Sequence, residues 1–284
     1  MNEKNFDFPH DKPPLELIEN LKAKARQLRR DILVMLSKAQ SGHTGGSLSA
    51  IDILTVLYYH VMKHKPENPS WPERDRFVLS KGHGAPALYA VLADCGYFPR
   101  DYLEKLRRLG SPLQGHPCVS TPGIEICTGS LGHGLSLANG MALGVRIDGL
   151  TSRIYALLGD GECQEGEVWE AAMSASHYKL SNLTAIVDKN GLQIDGSTAE
   201  VMNIDPIDEK FRAFGWHVLV IDGHDFSQLL SAFRFASEQR GCPTAIIART
   251  VKGKGVSFME NNLEFHGRAP TDEELKWALA ELQE

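Results

Sequence analysis

The 284-residue chain is long enough for one large domain or two small ones, and its 42% hydrophobic and 23% charged residues are typical of soluble globular proteins. Thirty basic and 36 acidic side chains give a net charge of −6, which excludes the strongly basic field of many nucleic-acid-binding or membrane-surface proteins. No run approaches the roughly 18 consecutive apolar residues that span a bilayer, so we expect neither nucleic acid nor a membrane as a partner.

The chain begins with a polar segment that is followed by helical patterns. Residues 1–14 read as a flexible amino-terminal arm, and residues 15–39 repeat apolar positions at three- and four-residue intervals, as in an amphipathic helix. A cluster of small residues follows: Gly42, Gly45, Gly46, Ser47 and Ser49. We expect the glycines to interrupt helical structure and one of the serines to cap a second helix, SAIDILTVLYYHVM.

Further along, short apolar strands alternate with helices. Strands are predicted at 76–80, 154–158, 183–187, 216–221 and 244–248, with helices at 85–95, 167–178, 226–239 and near the carboxyl end in TDEELKWALAELQ. This alternation predicts a parallel sheet covered by helices on both faces, hence a single three-layer α/β domain over residues 15–284. Residues 110–136 lack periodicity and are rich in Gly, Pro, Ser and Thr. A loop of that length inside a compact domain is usually functional.

The five cysteines provide little information about function. They are Cys95, Cys118, Cys127, Cys163 and Cys242, an odd number without a C-x-x-C pair. The cysteines therefore lack the spacing of zinc ligands, and we expect no disulfide framework in a chain of this length. The start MNEKNFDFPHDKPP has charges and prolines where a signal peptide would be apolar. We therefore expect a cytoplasmic protein with buried, inert thiols.

Polar side chains follow two of the predicted strands. Asp160 stands in the sequence GDG directly after residues 154–158, and Asn190 follows residues 183–187 in DKNG. Ligands of parallel sheets bind beyond the carboxyl ends of the strands, and the start of a helix favours an anion such as a diphosphate. A carboxylate, an amide oxygen and a backbone carbonyl such as that of Leu192 are ligands that suit Mg²⁺ or Ca²⁺. The spacing predicts a metal–diphosphate site and resembles the fingerprint of thiamine diphosphate enzymes.

Glycine-flanked histidines narrow the resemblance to one family. The relevant segments are 41–59 (SGHTGGSLSAIDILTVLYY), 75–90 (DRFVLSKGHGAPALYA), 115–134 (GHPCVSTPGIEICTGSLGHG), 158–171 (LGDGECQEGEVWEA) and 249–270 (RTVKGKGVSFMENNLEFHGRAP). In this order and at these intervals they resemble the amino-terminal, thiamine diphosphate-binding domain of transketolase over almost the whole chain. One departure is His133, where the family commonly has glutamine, and it puts the identity of the substrate in doubt.

The resemblance implies a role for each matched residue. For catalysis it implies that His43, His116 and His266 handle the hydroxyls and protons of the sugar, a task suited to near-neutral imidazoles. For the cofactor thiamine diphosphate it implies contacts from His83, His266, Gly129, Leu131, Gly161, Asn190 and Glu165. For Mg²⁺ or Ca²⁺ it implies Asp160, Asn190 and the carbonyl of Leu192, and for a contact between subunits Glu165 and Glu170.

The resemblance also implies a partner. In transketolases, the glutamate that activates the pyrimidine ring belongs to a second domain, which lies after the region matched by this chain. We therefore expect this chain to act as the amino-terminal subunit of a two-subunit enzyme, two copies joining two of a carboxyl-terminal subunit, to transfer a two-carbon ketol unit between sugar phosphates. A fragment or degenerate copy is the other explanation of the same pattern.

Other functions remain open at this stage. A synthase that joins pyruvate to glyceraldehyde phosphate, a transketolase for an unusual sugar, and a non-catalytic regulatory subunit are the alternatives. A plain nucleotide-binding protein is less consistent, because the sequence has no G-x-x-x-x-G-K-[ST] motif.

Overall fold

A computed structural model describes residues 13–283. The arm predicted at residues 1–14 lies outside the described residues except for its last two positions. The helices are α1 (Leu15–Ala39), α2 (Thr44–Val56), α3 (Ala85–Cys95), α4 (His133–Ile147), α5 (Gly166–His177), α6 (Thr198–Val201), α7 (Ile207–Ala213), α8 (Phe226–Glu238) and α9 (Asp272–Glu281). The strands are β1 (Arg76–Leu79), β2 (Ile154–Gly159), β3 (Leu183–Lys189), β4 (Leu192–Gln193), β5 (Gly196–Ser197), β6 (His217–Asp222) and β7 (Thr244–Arg249).

Five of these strands form a wholly parallel sheet in the order β1-β2-β3-β7-β6. The prediction of a parallel sheet is therefore confirmed. Strands β2 and β3 are neighbours, with Gly159 opposite Asp188 at their carboxyl ends. The loops that carry Asp160 and Asn190 therefore leave the same edge of the sheet side by side. Strands β4 and β5 form a separate, two-residue antiparallel hairpin directly after Asn190.

Helices cover both faces of the sheet. Along β2, Tyr155 and Leu157 face a core that they share with α1, α2, α3 and α8, whereas Ala156 and Leu158 face a second core formed with α4, α5 and α7. Successive residues of a strand point to opposite faces, so an entirely apolar strand supplies both layers. The three-layer α/β architecture predicted from the sequence is confirmed.

The start of α2 differs from the prediction. The helix begins at Thr44, so Gly45 and Gly46 lie inside its first turn instead of interrupting it. A Cβ on Gly45 would lie 2.9 Å from the Lys252 side chain and 3.2 Å from the carbonyl oxygen of Phe265. Glycine therefore allows the helix to approach the segment that carries Lys252.

The serine cap predicted for α2 is wrong. His43 occupies the N-cap position without a side-chain cap bond. Ser47 Oγ donates to the carbonyl of His43 over 2.7 Å, and Ser49 Oγ donates to Asp188 Oδ2 over 2.6 Å. Both hydroxyls are used within the fold, and that of Ser49 joins α2 to the end of β3.

Helix α4 was not predicted, and its first four residues fall in the segment predicted as loop. Its sequence HGLSLANGMALGVRI contains three glycines, which lower helix propensity and hide the pattern. One of them is required by packing, because a Cβ on Gly134 would lie 2.2 Å from Ser80 Oγ. Helix α4 thus packs directly against Ser80, in the loop that follows β1.

The thiols differ from the expectation of five buried, inert groups. Cys163 is buried, but Cys95, Cys118 and Cys242 are partly exposed and Cys127 is exposed. The expectation is wrong because residues 118 and 127 lie on a surface loop and not in a strand or helix of the core. Within residues 13–283, no helix is both long and apolar enough to cross a membrane.

Candidate functional site

A cavity of about 330 Å³ opens at the carboxyl ends of β2 and β3. The residues predicted for the site all line it: His43, His83, His116, Gly129, Leu131, Asp160, Gly161, Glu165, Asn190, Leu192 and His266. These residues come from seven separate stretches of sequence, and the fold brings them to one place. A larger cavity of about 680 Å³ lies at the opposite, amino-terminal ends of β1 and β2, away from these residues.

Asp160 connects the two loops at the sheet edge. Its Oδ1 accepts from the Gly161 amide over 2.9 Å, and its Oδ2 accepts from the Gly191 amide over 2.6 Å. Burial raises the pKa of Asp160 to about 6. A buried carboxylate without a cation beside it is costly, so this group is well suited to a positively charged ligand.

The neighbouring loop presents further oxygen donors to the same cavity. Asn190 Oδ1 accepts from the Leu192 amide over 3.2 Å, and Leu192 itself lines the cavity, its carbonyl accepting from the Lys252 ammonium. Among residues 13–283, no group of three or more His, Cys, Asp and Glu side chains is placed to hold a metal ion. A cation here would therefore depend on amide, carbonyl and non-protein oxygens in addition to Asp160, as is usual for Mg²⁺ bound together with phosphates.

Two buried lysines, not predicted from the sequence, lie in the wall of the cavity. Lys81 Nζ is 2.5 Å from Asp188 Oδ2 and donates to the carbonyl of Gly46 over 3.0 Å. Lys252 Nζ donates to the carbonyl of Leu192 over 3.0 Å. Asp188 balances the charge of the first lysine, whereas the hydrogen-bond partners of the second, Leu192 and His266, are neutral. Burial, followed by repulsion from Lys81, lowers the pKa of Lys252 to about 8, so at neutral pH it supplies a positive charge.

The four predicted histidines form one cluster. The ring of His43 lies 5.1 Å from that of His83, 6.4 Å from that of His116 and 5.7 Å from that of His266, measured between centroids. His43 Nδ1 is buried and has no hydrogen-bond partner among the described residues. Such an atom usually has a partner in a native protein, so it indicates a ligand at this point.

The imidazoles are neutral at physiological pH. Burial and the nearby Arg107 lower the pKa of His43 to about 4. Burial and Lys252 lower the pKa of His266 to about 3, and burial and Arg107 also lower that of His116. A neutral imidazole has one nitrogen that donates and one that accepts, so it can pass a proton between hydroxyl groups.

The orientation of His266 is fixed by its neighbour. Lys252 Nζ lies 2.6 Å from His266 Nδ1, and an ammonium group can only donate. The proton of the neutral ring must therefore be on Nε2. Sequence reasoning could not give this tautomer, because it depends on a contact between separate loops.

The cavity mouth carries a further cation. Arg107 is exposed, and its guanidinium donates to Ser41 Oγ over 3.0 Å. Its charge contributes to lowering the pKa of both His43 and His116. Gly129 lies next to the His116 ring, where a Cβ would be 3.1 Å from Cδ2. The mouth is therefore positively charged and lined by imidazole.

Three polar residues singled out from the sequence lie at the edge of the site or outside it. Glu165 lines the cavity but is exposed, and Glu170 is exposed on α5. His133 does not line the cavity; its Nδ1 lies 3.1 Å from Glu167 Oε2 on the surface. This position outside the cavity lining gives no support to an effect of His133 on the identity of the substrate.

Comparisons with known proteins agree on one family. The model of the family described as "Transketolase, thiamine diphosphate binding domain" matches residues 20–282. The chain is 49% identical over 265 residues to a protein of Clostridium sp. (strain MSTE9) named 6-deoxy-6-sulfo-D-fructose transketolase subunit SqwG, covering 93% of this chain and 96% of that one. It is 42% identical over 267 residues to an apulose-4-phosphate transketolase subunit of Phocaeicola vulgatus, covering 94% of this chain and 95% of that one.

A solved structure shows the same fold. The transketolase of Campylobacter jejuni superposes with a TM-score of 0.90 at 38% identity, covering 94% of this chain. The chain spans 43% of that transketolase chain. The match to the Campylobacter jejuni transketolase therefore covers less than half of that longer chain. The matches to the two transketolase subunits cover almost their whole length.

Proposed function

Since the chain belongs to the transketolase family and forms its thiamine diphosphate-binding domain, we propose that it is one subunit of a two-subunit transketolase that moves a two-carbon ketol unit between sugars. The observation that carries this proposal is the cavity at the ends of β2 and β3. There a buried carboxylate, an amide oxygen, a buried ammonium and four imidazoles converge.

The residues present fit a metal–diphosphate group. Asp160, Asn190 and the carbonyl of Leu192 would hold a divalent cation, Mg²⁺ or Ca²⁺, and Lys252 would face the diphosphate. Gly161 adds the start of a short helical turn without side-chain bulk. Bound thiamine diphosphate would supply the means of stabilising a carbanion at the carbonyl carbon of the ketose.

The side chains of the cavity would position the sugar and move its protons. His43, His116 and His266 are neutral, and the ring centroid of His43 lies 6.4 Å from that of His116 and 5.7 Å from that of His266. Each can therefore donate to or accept from a sugar hydroxyl. The unpaired Nδ1 of His43 is a ready acceptor or donor for the ligand. Arg107 at the mouth favours a sugar that carries a negative charge, as a sugar phosphate or sulfonate does.

A second subunit is supported by the relatives and by the surface beside the cavity. The two relatives matched over nearly their full length are both named as transketolase subunits. Three large apolar side chains are exposed on this part of the chain: Leu131, which lines the cavity just before α4, Leu137 on α4 and Met173 on α5. Contact with a partner would cover them, and Glu165 and Glu170 would lie in the same contact. We propose an assembly of two copies of this chain with two carboxyl-terminal subunits.

Reconstitution tests the proposal. The full chain is assayed with thiamine diphosphate, Mg²⁺, a ketose phosphate donor and an aldose phosphate acceptor, alone and with the purified partner subunit. We expect ketol transfer with both subunits and negligible transfer with either alone. Robust turnover by this chain alone would contradict the two-subunit proposal. Failure of the pair on phosphorylated, sulfonated and branched sugars alike would contradict the transketolase assignment.

A further inference from the structure

Two cysteines face each other across the loop between α3 and α4. Cys127 Sγ lies 3.0 Å from Cys118 Sγ, and the Val119 amide donates to Cys127 Sγ over 3.4 Å. A backbone hydrogen bond also joins the segments next to the two cysteines, since the Thr128 amide donates to the carbonyl of Pro117 over 3.3 Å. A disulfide has an S–S distance of about 2.05 Å, so the two sulfurs need to approach by only about 1 Å to bond.

The environment of the pair favours reaction at one of the two sulfurs. The hydrogen bond from the Cys127 thiol, with support from Ser120, lowers the pKa of Cys118 to about 7. The same contact raises the pKa of Cys127. Elsewhere in the described chain, burial raises the pKa of Cys95 to about 11. The thiolate is the nucleophilic form of cysteine, so Cys118 has at neutral pH the ionisation that Cys95 lacks.

We propose that Cys118 and Cys127 are a redox-active thiol pair that a hydroperoxide converts to an intrachain disulfide at the rim of the cavity. The Cys118 thiolate attacks a peroxide oxygen and the O–O bond breaks, which gives a sulfenic acid and, with hydrogen peroxide as the oxidant, one molecule of water. The Cys127 sulfur then attacks the sulfenic sulfur, the S–O bond breaks and a second water leaves. Two thiols lose two electrons and two protons, the peroxide gains both, and a thiol reductant reverses the bond.

The position of the pair links this chemistry to the site. Cys118 stands two residues after His116, and Cys127 stands two residues before Gly129. His116 and Gly129 both line the cavity, and a Cβ on Gly129 would lie 3.1 Å from Cδ2 of the His116 ring. A shift of about 1 Å in a group that handles the substrate can lower turnover by about 10²-fold. The disulfide therefore reduces turnover reversibly. This regulatory consequence rests on the proposed function, whereas the thiol chemistry does not.

Mass spectrometry of the full chain tests the thiol chemistry without any activity assay. The reduced protein is treated with hydrogen peroxide and digested without reductant by a protease that cleaves after glutamate, because Glu125 lies between the two cysteines and no lysine or arginine does. The products are compared with those of Cys118→Ser, Cys127→Ser and the control Cys242→Ser. We expect a loss of two hydrogen atoms and a cross-linked peptide pair in the wild type and the control, and loss of the cross-link in both other variants. A wild type without the 118–127 cross-link overturns the proposal.

The rate of alkylation is an independent measurement that does not depend on how the variants fold. With limiting iodoacetamide at pH 7, we expect the wild-type protein to be labelled at Cys118 faster than at Cys242. Labelling of Cys118 at or below the rate of Cys242 overturns its assignment as the reacting thiolate.

Turnover of the enzyme pair tests the regulatory consequence. We expect peroxide to lower kcat in the wild type and dithiothreitol to restore it. The Cys118→Ser variant, which lacks the reacting thiolate, should show no decrease that dithiothreitol reverses. A disulfide that forms without changing kcat refutes the regulation and leaves the thiol pair intact. Absence of any ketol transfer before oxidation instead indicates failure of the proposed function.

Discussion

The buried ammonium of Lys252 offers a direct test of how the cavity holds an anion. Its Nζ is fixed between the carbonyl of Leu192, at 3.0 Å, and His266 Nδ1, at 2.6 Å, and its pKa of about 8 keeps it mostly charged at neutral pH. Replacing it with methionine keeps most of the side-chain length and removes the charge and its hydrogen bonds. We expect the Lys252→Met variant to bind thiamine diphosphate more weakly.

The magnitude follows from the type of interaction that is lost. A hydrogen bond between charged groups contributes about 1.5–3 kcal/mol, and each 1.4 kcal/mol changes an equilibrium constant about tenfold. Lys252 is buried and already held in place before the cofactor binds. Binding therefore costs little additional side-chain entropy, and most of the hydrogen-bond energy contributes to affinity. The expected change is an increase in Kd of about 10- to 150-fold.

Calorimetry provides the assay, and a nearby lysine provides the control. Thiamine diphosphate is titrated into the full chain with its partner in the presence of Mg²⁺. Lys254→Met removes a partly exposed lysine two residues away, whose Nζ lies 3.3 Å from Glu260 Oε1 and which does not line the cavity. We expect this control to bind within about twofold of the wild type, as surface ion pairs contribute little. An equal Kd for Lys252→Met and the wild type would refute the reasoning.

Three further changes test other parts of the account. His116→Ala should lower kcat by about 10²- to 10⁴-fold, the range for loss of a general acid or base, and should change cofactor affinity far less, as measured by steady-state kinetics and calorimetry. Gly134→Ala should lower the free energy of unfolding by about 1–3 kcal/mol in urea titrations, because the new Cβ would lie 2.2 Å from Ser80 Oγ. Glu274→Gln should weaken the loss of stability in acid, because the hydrogen bond from Arg268 lowers the pKa of Glu274 from 4.5 to about 2. A carboxyl with a depressed folded-state pKa contributes stability above about pH 4.5, which is lost as the pH falls towards 2.

Each of these changes has a contrary outcome. The histidine assignment fails if the variant loses cofactor affinity and keeps kcat. For Gly134, the control is Gly140→Ala in the same helix, where an added Cβ meets no atom within 4 Å. This control variant should leave the free energy of unfolding unchanged or raise it. Equal destabilisation by both variants would contradict the packing of Gly134 against Ser80. The glutamate argument fails if the wild type and the variant lose stability in parallel between pH 5 and pH 2.

The sequence determined the parts of the site that follow directly from strands. Asp160 and Asn190 could be placed together because each directly follows an apolar strand, and parallel neighbours end at the same edge. The structure shows that the two strands are adjacent and in register. The fold class followed from the same alternation of strands and helices.

Features set by contacts between distant segments could not be predicted. Lys81 lies 107 residues from its partner Asp188, and Lys252 reaches the cavity only because Gly45 allows α2 to come close. Both lysines stand in segments that carry the family resemblance, 75–90 and 249–270, but the residue pattern there assigns no role to either of them. The glycines of α4 obscured a helix for a related reason: at least one of them is required by tertiary packing against Ser80, which local propensity does not report.

We propose that Asp160 and Asn190 would hold a divalent cation next to the diphosphate of the cofactor. The most direct test of this claim is a calorimetric titration of thiamine diphosphate into the assembled enzyme, with Mg²⁺ and with EDTA, for the wild type and Asp160→Ala. We expect tight binding by the wild type with Mg²⁺, weak binding with EDTA, and no effect of Mg²⁺ on the variant. Tight, metal-dependent binding by Asp160→Ala would contradict the claim.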